Sequence, residues 1–270
     1  MRQTRRCGMA TLVTLGIIGG GRSVGAQQPD QAALAKAAQN PVANMISVPF
    51  QNNTAFGWGE FDRTQNVLNI QPVVPFQLGG SVNLITRTIV PVISQPDLGS
   101  ASGTTFGLGD INATLFLSPA KPGKLIWGVG PALSLNTATD DVLGSGKWGV
   151  GPSVVLLTMP GSWVIGVLAN NIWSVAGDEN RAAVNQMLIQ YFVNYNLPNG
   201  WYVTSAPINT VNWKAASDKA TIPLGGGVGK LFRLGRLPVN GSAQAYVNIV
   251  KPDLGPDWSM RVQLQLLFPK

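Results

Sequence analysis

From Asn44 onward the sequence alternates apolar and polar residues in segments of about 10 to 15 residues. Alternation with a period of two is typical of a strand that has one apolar and one polar face. The pattern predicts twelve strands, which leave little of the chain unassigned. They are predicted near residues 44–50, 65–77, 81–93, 105–117, 124–135, 147–158, 162–174, 184–197, 201–213, 220–232, 238–249 and 258–268.

The connections between these strands alternate in length, which predicts an all-β fold, a transmembrane antiparallel β-barrel of about 12 strands. Such barrels have short periplasmic turns and longer extracellular loops, whereas a soluble sandwich has no reason to separate the two kinds. The short, turn-rich connections are 78–80, 118–123, 159–161, 198–200 and 234–237. The longer or more polar ones are 51–64, 94–104, 136–146, 175–183, 214–219 and 250–257.

The two faces of segment 184–197 differ in a way that predicts lipid on one side and a wet lumen on the other. Met187 and Ile189 alternate with Gln186 and Gln190. In a soluble sandwich the polar row would be rich in Lys and Glu, but here it is mostly amide, hydroxyl and glycine. The residues predicted to line the lumen or pore are Asn69, Gln71, Asn83, Arg87, Asp110, Asn112, Thr114, Gln186, Gln190, Asn194, Arg261, Gln263 and Gln265.

Charge placement favours the same architecture. Charged residues make up 11% of the chain, against about a quarter in soluble domains. After Ala26 only Arg87, Asp110, Lys230 and Arg261 fall inside predicted strands, apart from Lys124 and Lys147 at strand tips, and ten of the 12 acids lie in the longer connections. Lys or Arg facing lipid near the membrane midplane costs about 2–4 kcal/mol, so spanning strands avoid charge.

The tryptophans give a further indication, because indole rings form girdles at both rims of a membrane barrel. Seven of the eight lie close to an end of a predicted strand, and Trp58 is placed in the first long loop.

The amino terminus predicts export. Arg2, Arg5 and Arg6 precede an apolar stretch, and Val24-Gly25-Ala26 is typical of a cleavage site, so residues 1–26 are predicted to be a cleavable secretory signal peptide. Its loss, with Arg22, leaves 15 basic residues against 12 acidic ones and lowers the net charge from +7 to +3. The charge therefore gives no reason to expect a nucleic-acid partner.

The mature chain is predicted to have two parts. Residues 27–43 form a periplasmic lead-in with a possible short helix, for which Asp30 is a candidate N-cap and which Pro41 would end. Residues 44–270 form the barrel in the outer membrane of a Gram-negative bacterium. After Ala26 no stretch is apolar for the 18 or more residues that a spanning helix needs.

Composition excludes several chemistries. The chain has no histidine, and its one cysteine, Cys7, lies in the predicted signal peptide. This removes imidazole bases, histidine or cysteine metal sites and structural disulfides, and it excludes a barrel phospholipase whose serine is activated by histidine. We expect no enzyme activity, no catalytic residue, no cofactor and no metal site. The acidic pairs 140–141 and 178–179 fit solvated loops or, alternatively, divalent cations beside lipopolysaccharide.

Two glycine-rich motifs favour structural interpretations. The stretch 225–230, Gly-Gly-Gly-Val-Gly-Lys, resembles a phosphate-binding loop but has Leu224 and Leu231 where that motif needs glycine and Ser or Thr. A strand that bends at a barrel corner explains these glycines better. The repeat Trp-Gly-Val-Gly-Pro at 127–131 and 148–152 lies on two strands of one predicted hairpin, although each proline removes a ladder donor.

The last predicted strand, Met260 to Phe268, is amphipathic and ends in an aromatic residue, as outer-membrane barrels do where the insertion machinery binds; Pro269 and Lys270 depart from that pattern. The expected partners are this barrel-insertion machinery, outer-membrane lipids and lipopolysaccharide, and a small-molecule substrate.

Several motifs resemble those of a family of small bacterial outer-membrane barrels, described as transporters or as components of a phenol-degradation (meta) pathway and sometimes misnamed after neuromedin U. The resemblance implies a channel-like protein, loosely similar to carriers of fatty acids and aromatic hydrocarbons. It favours passive passage of small apolar or aromatic molecules; a structural or surface-interaction barrel with a closed lumen is the alternative. The motifs are Gln39-Asn40-Pro41-Val42-Ala43, Pro49-Phe50-Gln51-Asn52-Asn53, Phe106-Gly107-Leu108-Gly109-Asp110-Ile111, Leu143-Gly144-Ser145-Gly146-Lys147-Trp148, Ala169-Asn170-Asn171-Ile172-Trp173 and Asn194-Tyr195-Asn196-Leu197-Pro198.

Arg87 and Asp110 lie on adjacent predicted strands on either side of connection 94–104. If that hairpin is symmetric about Leu98 and Gly99, the two residues stand opposite each other, where opposed charges stabilise by about 0.2–1 kcal/mol. We therefore hypothesise a lumen ion pair that narrows the channel, with Arg261 and inward glutamines lining it. A pair that only fixes strand register is the alternative.

Overall fold

The computed structural model describes residues 31–269, which contain fifteen β-strands, one α-helix and a single 3₁₀ turn at Pro198–Gly200. The predicted signal peptide lies outside these residues, so its cleavage stays a prediction. The elements are α1 Gln31–Ala38, β1 Ile46–Trp58, β2 Arg63–Ile70, β3 Val73–Leu78, β4 Val82–Pro96, β5 Thr104–Leu108, β6 Ile111–Pro119, β7 Leu125–Leu135, β8 Lys147–Thr158, β9 Trp163–Gly177, β10 Asn185–Asn196, β11 Trp201–Ser205, β12 Ile208–Asn212, β13 Ala220–Leu234, β14 Leu237–Val250 and β15 Trp258–Phe268.

The strands form one closed antiparallel barrel. Strands that are adjacent around the ring are antiparallel, and β15 closes the ring on β1 in a register that runs from Ile46–Phe268 to Phe56–Trp258. Three pairs of short strands (β2 with β3, β5 with β6, β11 with β12) each follow one path, so the fifteen strands occupy twelve positions around the barrel. This confirms the predicted twelve-stranded antiparallel barrel.

The breaks within those three paths fall at residues 71–72, 109–110 and 206–207. Pro72 and Pro207 lack the backbone N–H that a ladder needs, so a strand is interrupted where they stand.

The first strand is longer than predicted, because β1 continues to Trp58 and the predicted loop 51–64 is only the turn 59–62. Its polar run fits a strand because the amides bind one another. Asn52 and Asn66 of β2 exchange hydrogen bonds of 2.9 and 3.0 Å between their side chains. Trp58 is the last residue of β1, so it also lies at a strand end.

The two ends of the barrel carry different connections. At one end, the turn end, lie Ile46, Phe268 and the connections 79–81, 120–124, 159–162, 197–200 and 235–236. At the other, the loop end, lie 59–62, 97–103, 136–146, 178–184, 213–219 and 251–257. The predicted alternation in length therefore holds except at the first connection.

The glycine-proline repeat marks an interruption in the barrel wall. Pro131 of β7 stands opposite Pro152 of β8, and the ladder between these two strands is continuous. The ladders on their other sides, β6–β7 and β8–β9, both skip two steps at this level. The backbone N–H groups that Pro131 and Pro152 lack are therefore the ones that would have bonded to β6 and β9. A side chain at Gly151 would place its Cβ 1.6 Å from the carbonyl oxygen of Asn171, so this position requires glycine.

The other glycine motif, residues 225–230, lies within β13. A Cβ at Gly225 or Gly227 would come within 2.0 Å of a backbone oxygen of β14. The structural interpretation is correct, and the motif is not a loop before a helix, as a phosphate-binding loop would be.

An apolar core fills the turn-end half of the interior beside β4 to β9. Phe116, Ile85 and Val155 are fully buried there, and Val42 from the segment before β1 packs with them. A second cluster joins Leu34 of α1 and Met45 to Leu231 and Leu267 of the wall, among others. The barrel is thus partly filled by its own side chains and by residues 31–45.

No helix within residues 31–269 is long and apolar enough to cross a membrane.

Candidate channel lumen

Two cavities lie one above the other inside the barrel. The lower cavity, towards the turn end, has a volume of about 170 Å³. The upper cavity, towards the loop end, has a volume of about 460 Å³. Gln51, Arg87, Leu168 and Gln190 line both cavities. These four residues come from β1, β4, β9 and β10, and we call them the neck.

Twelve of the thirteen predicted lining residues lie on a wall of one or both cavities. The thirteenth, Asn83, is buried outside both cavity walls, and its Oδ1 has no hydrogen-bond partner within residues 31–269. The upper wall holds Asn69, Gln71, Arg87, Asp110, Asn112, Thr114, Gln186 and Gln190. The lower wall holds Arg87, Gln190, Asn194, Arg261, Gln263 and Gln265.

Two arginines give the lower cavity a positive charge. Nη2 of Arg87 donates to Oε1 of Gln71 at 2.7 Å. Arg261, 7% exposed, donates from Nε to Asn53 Oδ1 at 3.0 Å and from Nη1 to the carbonyl oxygen of Ala206 at 2.8 Å. It also lies 5.2 Å from the ring centroid of Tyr246. All these partners are electrically neutral.

The predicted ion pair between Arg87 and Asp110 does not form. The register pairs Arg87 with Thr114, so the assumed symmetric hairpin is wrong by four positions, or about 13 Å along the strand. Asp110 lies in the break between β5 and β6. Within residues 31–269 the one ion pair shorter than 4 Å joins Lys251 and Asp257 at the loop end.

Asp110 instead anchors a loop that folds inward. Its Oδ1 accepts the backbone N–H groups of Thr137 and Ala138, both at 3.2 Å. Its Oδ2 accepts the backbone N–H of Ser145 at 2.7 Å and the Ser145 hydroxyl at 2.8 Å. These bonds hold both ends of connection 136–146, and Leu143 in its middle is 6% exposed and lines the upper cavity. The loop therefore narrows the upper cavity.

Sequence reasoning missed this loop, although a signal was present. Glycines alternate in Phe106-Gly107-Leu108-Gly109, and a Cβ at Gly107 would come within 3 Å of the Thr139 hydroxyl and the Leu143 side chain. The glycines clear the space through which the loop passes. A neighbouring connection adds Arg181, whose guanidinium donates to the carbonyl oxygens of residues 141, 144 and 145.

The lumen is also lined by apolar residues, whereas the predicted lining residues were all polar or charged. Leu168, Ile172 and Leu188 of β9 and β10 line the upper cavity, and Phe192 lines the lower one. Side-chain type alone would assign such residues to lipid, although Leu188 and Phe192 share the face of Gln186 and Gln190 in the alternation of β10. The lumen wall is therefore amphipathic, with apolar side chains placed among the amides of β9 and β10.

Residues 37–45 form the floor of the lower cavity, where the sequence suggested only a periplasmic lead-in. The amide groups of Gln39 and Asn196 of β10 bond reciprocally at 2.9 and 3.2 Å. The Lys36 ammonium donates to the carbonyl oxygen of Gly161, and the Gln31 amide donates to that of Leu231. We call residues 31–45 the plug, because they occupy the turn end of the lumen.

No protein-family model matches the chain, and no curated protein matches its sequence. Among solved structures it is similar to an outer membrane channel from Pseudomonas putida F1, with a TM-score of 0.63 and 18% identity over 83% of this chain and 94% of that chain. It is also similar to the NanC porin, with a TM-score of 0.53 and 8% identity over 83% of this chain and 100% of that chain. At these identities the likeness establishes the fold: an outer-membrane-type β-barrel.

Proposed function

We propose that the chain is an outer-membrane channel through which small molecules pass passively. The observation that carries the proposal is the two cavities in line inside a closed barrel, with the neck between them. The fold shared with an outer membrane channel and a porin supports the same function and location. Short turns at the end that holds Ile46 and Phe268 support a periplasmic position for the turn end.

The cargo that we propose is small and has an apolar or aromatic body. Leu168, Ile172 and Leu188 supply apolar contact in the upper cavity, and Phe192 continues it below the neck. Amides of the same lumen, such as Gln51 and Gln190, would hold water or polar groups of the cargo. No residue in the lumen is assigned a catalytic role, and a histidine-dependent reaction is excluded because the chain has no histidine.

A neck variant tests the channel. Gln190→Trp places an indole between the cavities, whereas Tyr191→Trp, the matched control, adds it to the outer surface at the next position of β10. In planar bilayers we expect the single-channel conductance to fall by about half or more in Q190W and to stay at the wild-type value in Y191W. Equal conductance in all three proteins would contradict passage through the neck.

A closed-lumen barrel is the second candidate, and the plug is the observation that favours it. The double variant Gln39→Cys/Asn196→Cys lets a short bifunctional thiol reagent tie the plug to β10, and no other thiol remains after the predicted signal peptide. For a channel whose plug moves, we expect the double variant to conduct before cross-linking and to close after it. If the wild-type protein and the uncross-linked double variant show no conductance in bilayers, and cells that carry them take up no small aromatic molecules, the closed barrel is favoured.

A further inference from the structure

We propose that the lower cavity binds a small carboxylate with an apolar or aromatic body, and that Arg87 and Arg261 bind its carboxylate group. This inference rests on the proposed channel function and names the class of its cargo. Both arginines line the lower cavity, and Arg87 also belongs to the neck. A molecule that passes from the upper to the lower cavity therefore meets both guanidinium groups.

Among the described residues, 31–269, neither arginine has an acidic side chain within ion-pair distance. A buried charge is costly unless an opposite charge and hydrogen bonds compensate it. Asp110, the acid on the upper wall, is already occupied by four hydrogen bonds from connection 136–146. The amides, the carbonyl and the tyrosine ring around the arginines supply hydrogen bonds and polarisation but no negative charge. An anion in the lower cavity would supply it.

The guanidinium groups also have donors to spare. An arginine carries five N–H donors in a planar fork that fits the two oxygens of a carboxylate. Within residues 31–269, Gln71 accepts one donor of Arg87, and Asn53 and Ala206 accept from two nitrogens of Arg261. The remaining N–H groups belong to side chains that line the cavity.

The rest of the lower cavity selects the body of the ligand. Phe192 and Tyr202 are 6% and 4% exposed, and both line the cavity with Leu168, Val73 and Met45. Aromatic and aliphatic groups of this kind would contact a flat or apolar body, and the amides and hydroxyls that make up most of the remaining lining would hold water or polar groups of the ligand. A volume of about 170 Å³ limits the ligand to a single small molecule. Benzoate is the simplest probe with these properties.

The competing explanation is that both arginines only fix the register of the wall. A structural role predicts that their loss lowers stability without discriminating between charged and neutral ligands. Arg87→Gln keeps a polar side chain of similar reach and removes the charge. Arg233→Gln is the matched control, because Arg233 lies at the turn end on neither cavity wall and donates to the carbonyl oxygen of Arg236.

The experiment is titration calorimetry on the purified mature chain in detergent micelles, with benzoate, benzyl alcohol and benzylamine as probes that share one ring. We expect benzoate to bind most tightly. For a guanidinium in direct contact, about 4 Å from the carboxylate, Coulomb's law gives a loss of about 6-fold at the dielectric constant of water and about 1000-fold at an effective value of about 20. R87Q should weaken benzoate binding within that range and leave benzyl alcohol unchanged, and R233Q should match the wild type.

Benzoate that binds no more tightly than benzyl alcohol would overturn the proposal, as would equal benzoate affinity in R87Q and the wild type. Heat-modifiable migration on gels checks that each variant is folded. Arg261→Gln tests the second arginine in the same way. Should that variant fail to fold, Arg261→Lys replaces it and keeps the charge, and the benzoate affinity of R87Q then decides between the two explanations. Benzoate binding without any conductance in planar bilayers would support the carboxylate site and contradict the channel function. Conductance without a preference for benzoate would support the channel function and contradict the carboxylate site.

Discussion

Asp110→Ala is expected to release connection 136–146 from the lumen. The substitution removes the acceptor for three backbone N–H groups and one hydroxyl, which together hold both ends of the loop. Contacts of Arg181 with three carbonyl oxygens of the loop remain, so the barrel should stay folded while the loop opens more often.

The size of the effect follows from the four bonds. Two are short, at 2.7 and 2.8 Å, and two are long, at 3.2 Å. Hydrogen bonds to charged groups contribute about 1.5–3 kcal/mol when well made and buried, and less when water competes, as it does for this partly buried group. We take about 2 kcal/mol for the whole set, which corresponds to an increase of about 30-fold in the open loop population.

Hydrogen exchange measures this directly, because the amides of residues 137, 138 and 145 donate to the carboxylate itself. We expect their protection to fall by about 30-fold in D110A, and by less in Asp110→Asn, which keeps one carbonyl acceptor. Asp140→Asn is the control: within the same loop Asp140 accepts the amide of Val142 at 3.1 Å, so only local protection should change. Unchanged exchange at residue 137 in a folded D110A barrel would refute the anchoring role.

Two further substitutions probe the packing of the wall and the core through the temperature at which the barrel loses its folded migration on gels. Gly151→Ala should lower it, because the new Cβ would collide with the carbonyl oxygen of Asn171 at a cost of about 1–3 kcal/mol, whereas Gly123→Ala, with open space around it, should have no effect. Phe116→Ala should lower the free energy of unfolding by about 3–5 kcal/mol, because Phe116 is fully buried. Phe106→Ala is the matched control, because Phe106 is 75% exposed, and an equal loss of stability in the two variants would contradict the core assignment.

The barrel could be predicted from the sequence because its strongest constraints are local and periodic. Alternation identifies which residues of a strand share a face, and avoidance of charge in lipid limits where Lys, Arg, Asp and Glu can stand. Even the error in β1 has a local cause. Asn52 satisfies its amide against Asn66, fourteen residues later, and a polar run without that partner is typical of a loop.

The contents of the lumen could not be predicted in the same way, because they depend on pairings between distant residues. The register of β4 against β6 decides that Arg87 faces Thr114, and a strand boundary misplaced by a few residues moves that partner. The loop on Asp110 and the plug are aperiodic segments, and what they contact depends on the closed barrel. Side-chain type also has no means of assigning Leu168 or Phe192 to the interior, since lipid and an apolar lumen wall select the same side chains; for Phe192 only the face that it shares with Gln190 does so.

The covalent join between the plug and β1 limits how the turn end could open and close. Met45 is buried in the plug, and the next residue, Ile46, is already paired with Phe268 in the barrel seam. Because no linker separates the plug from β1, a displaced plug would stay next to the rim of the barrel. Its effective concentration at its binding site in the lumen would therefore be high. Re-closing would then be a first-order process with the same rate in a crowded membrane and in a dilute one, and a free peptide of the same sequence would compete poorly for the site.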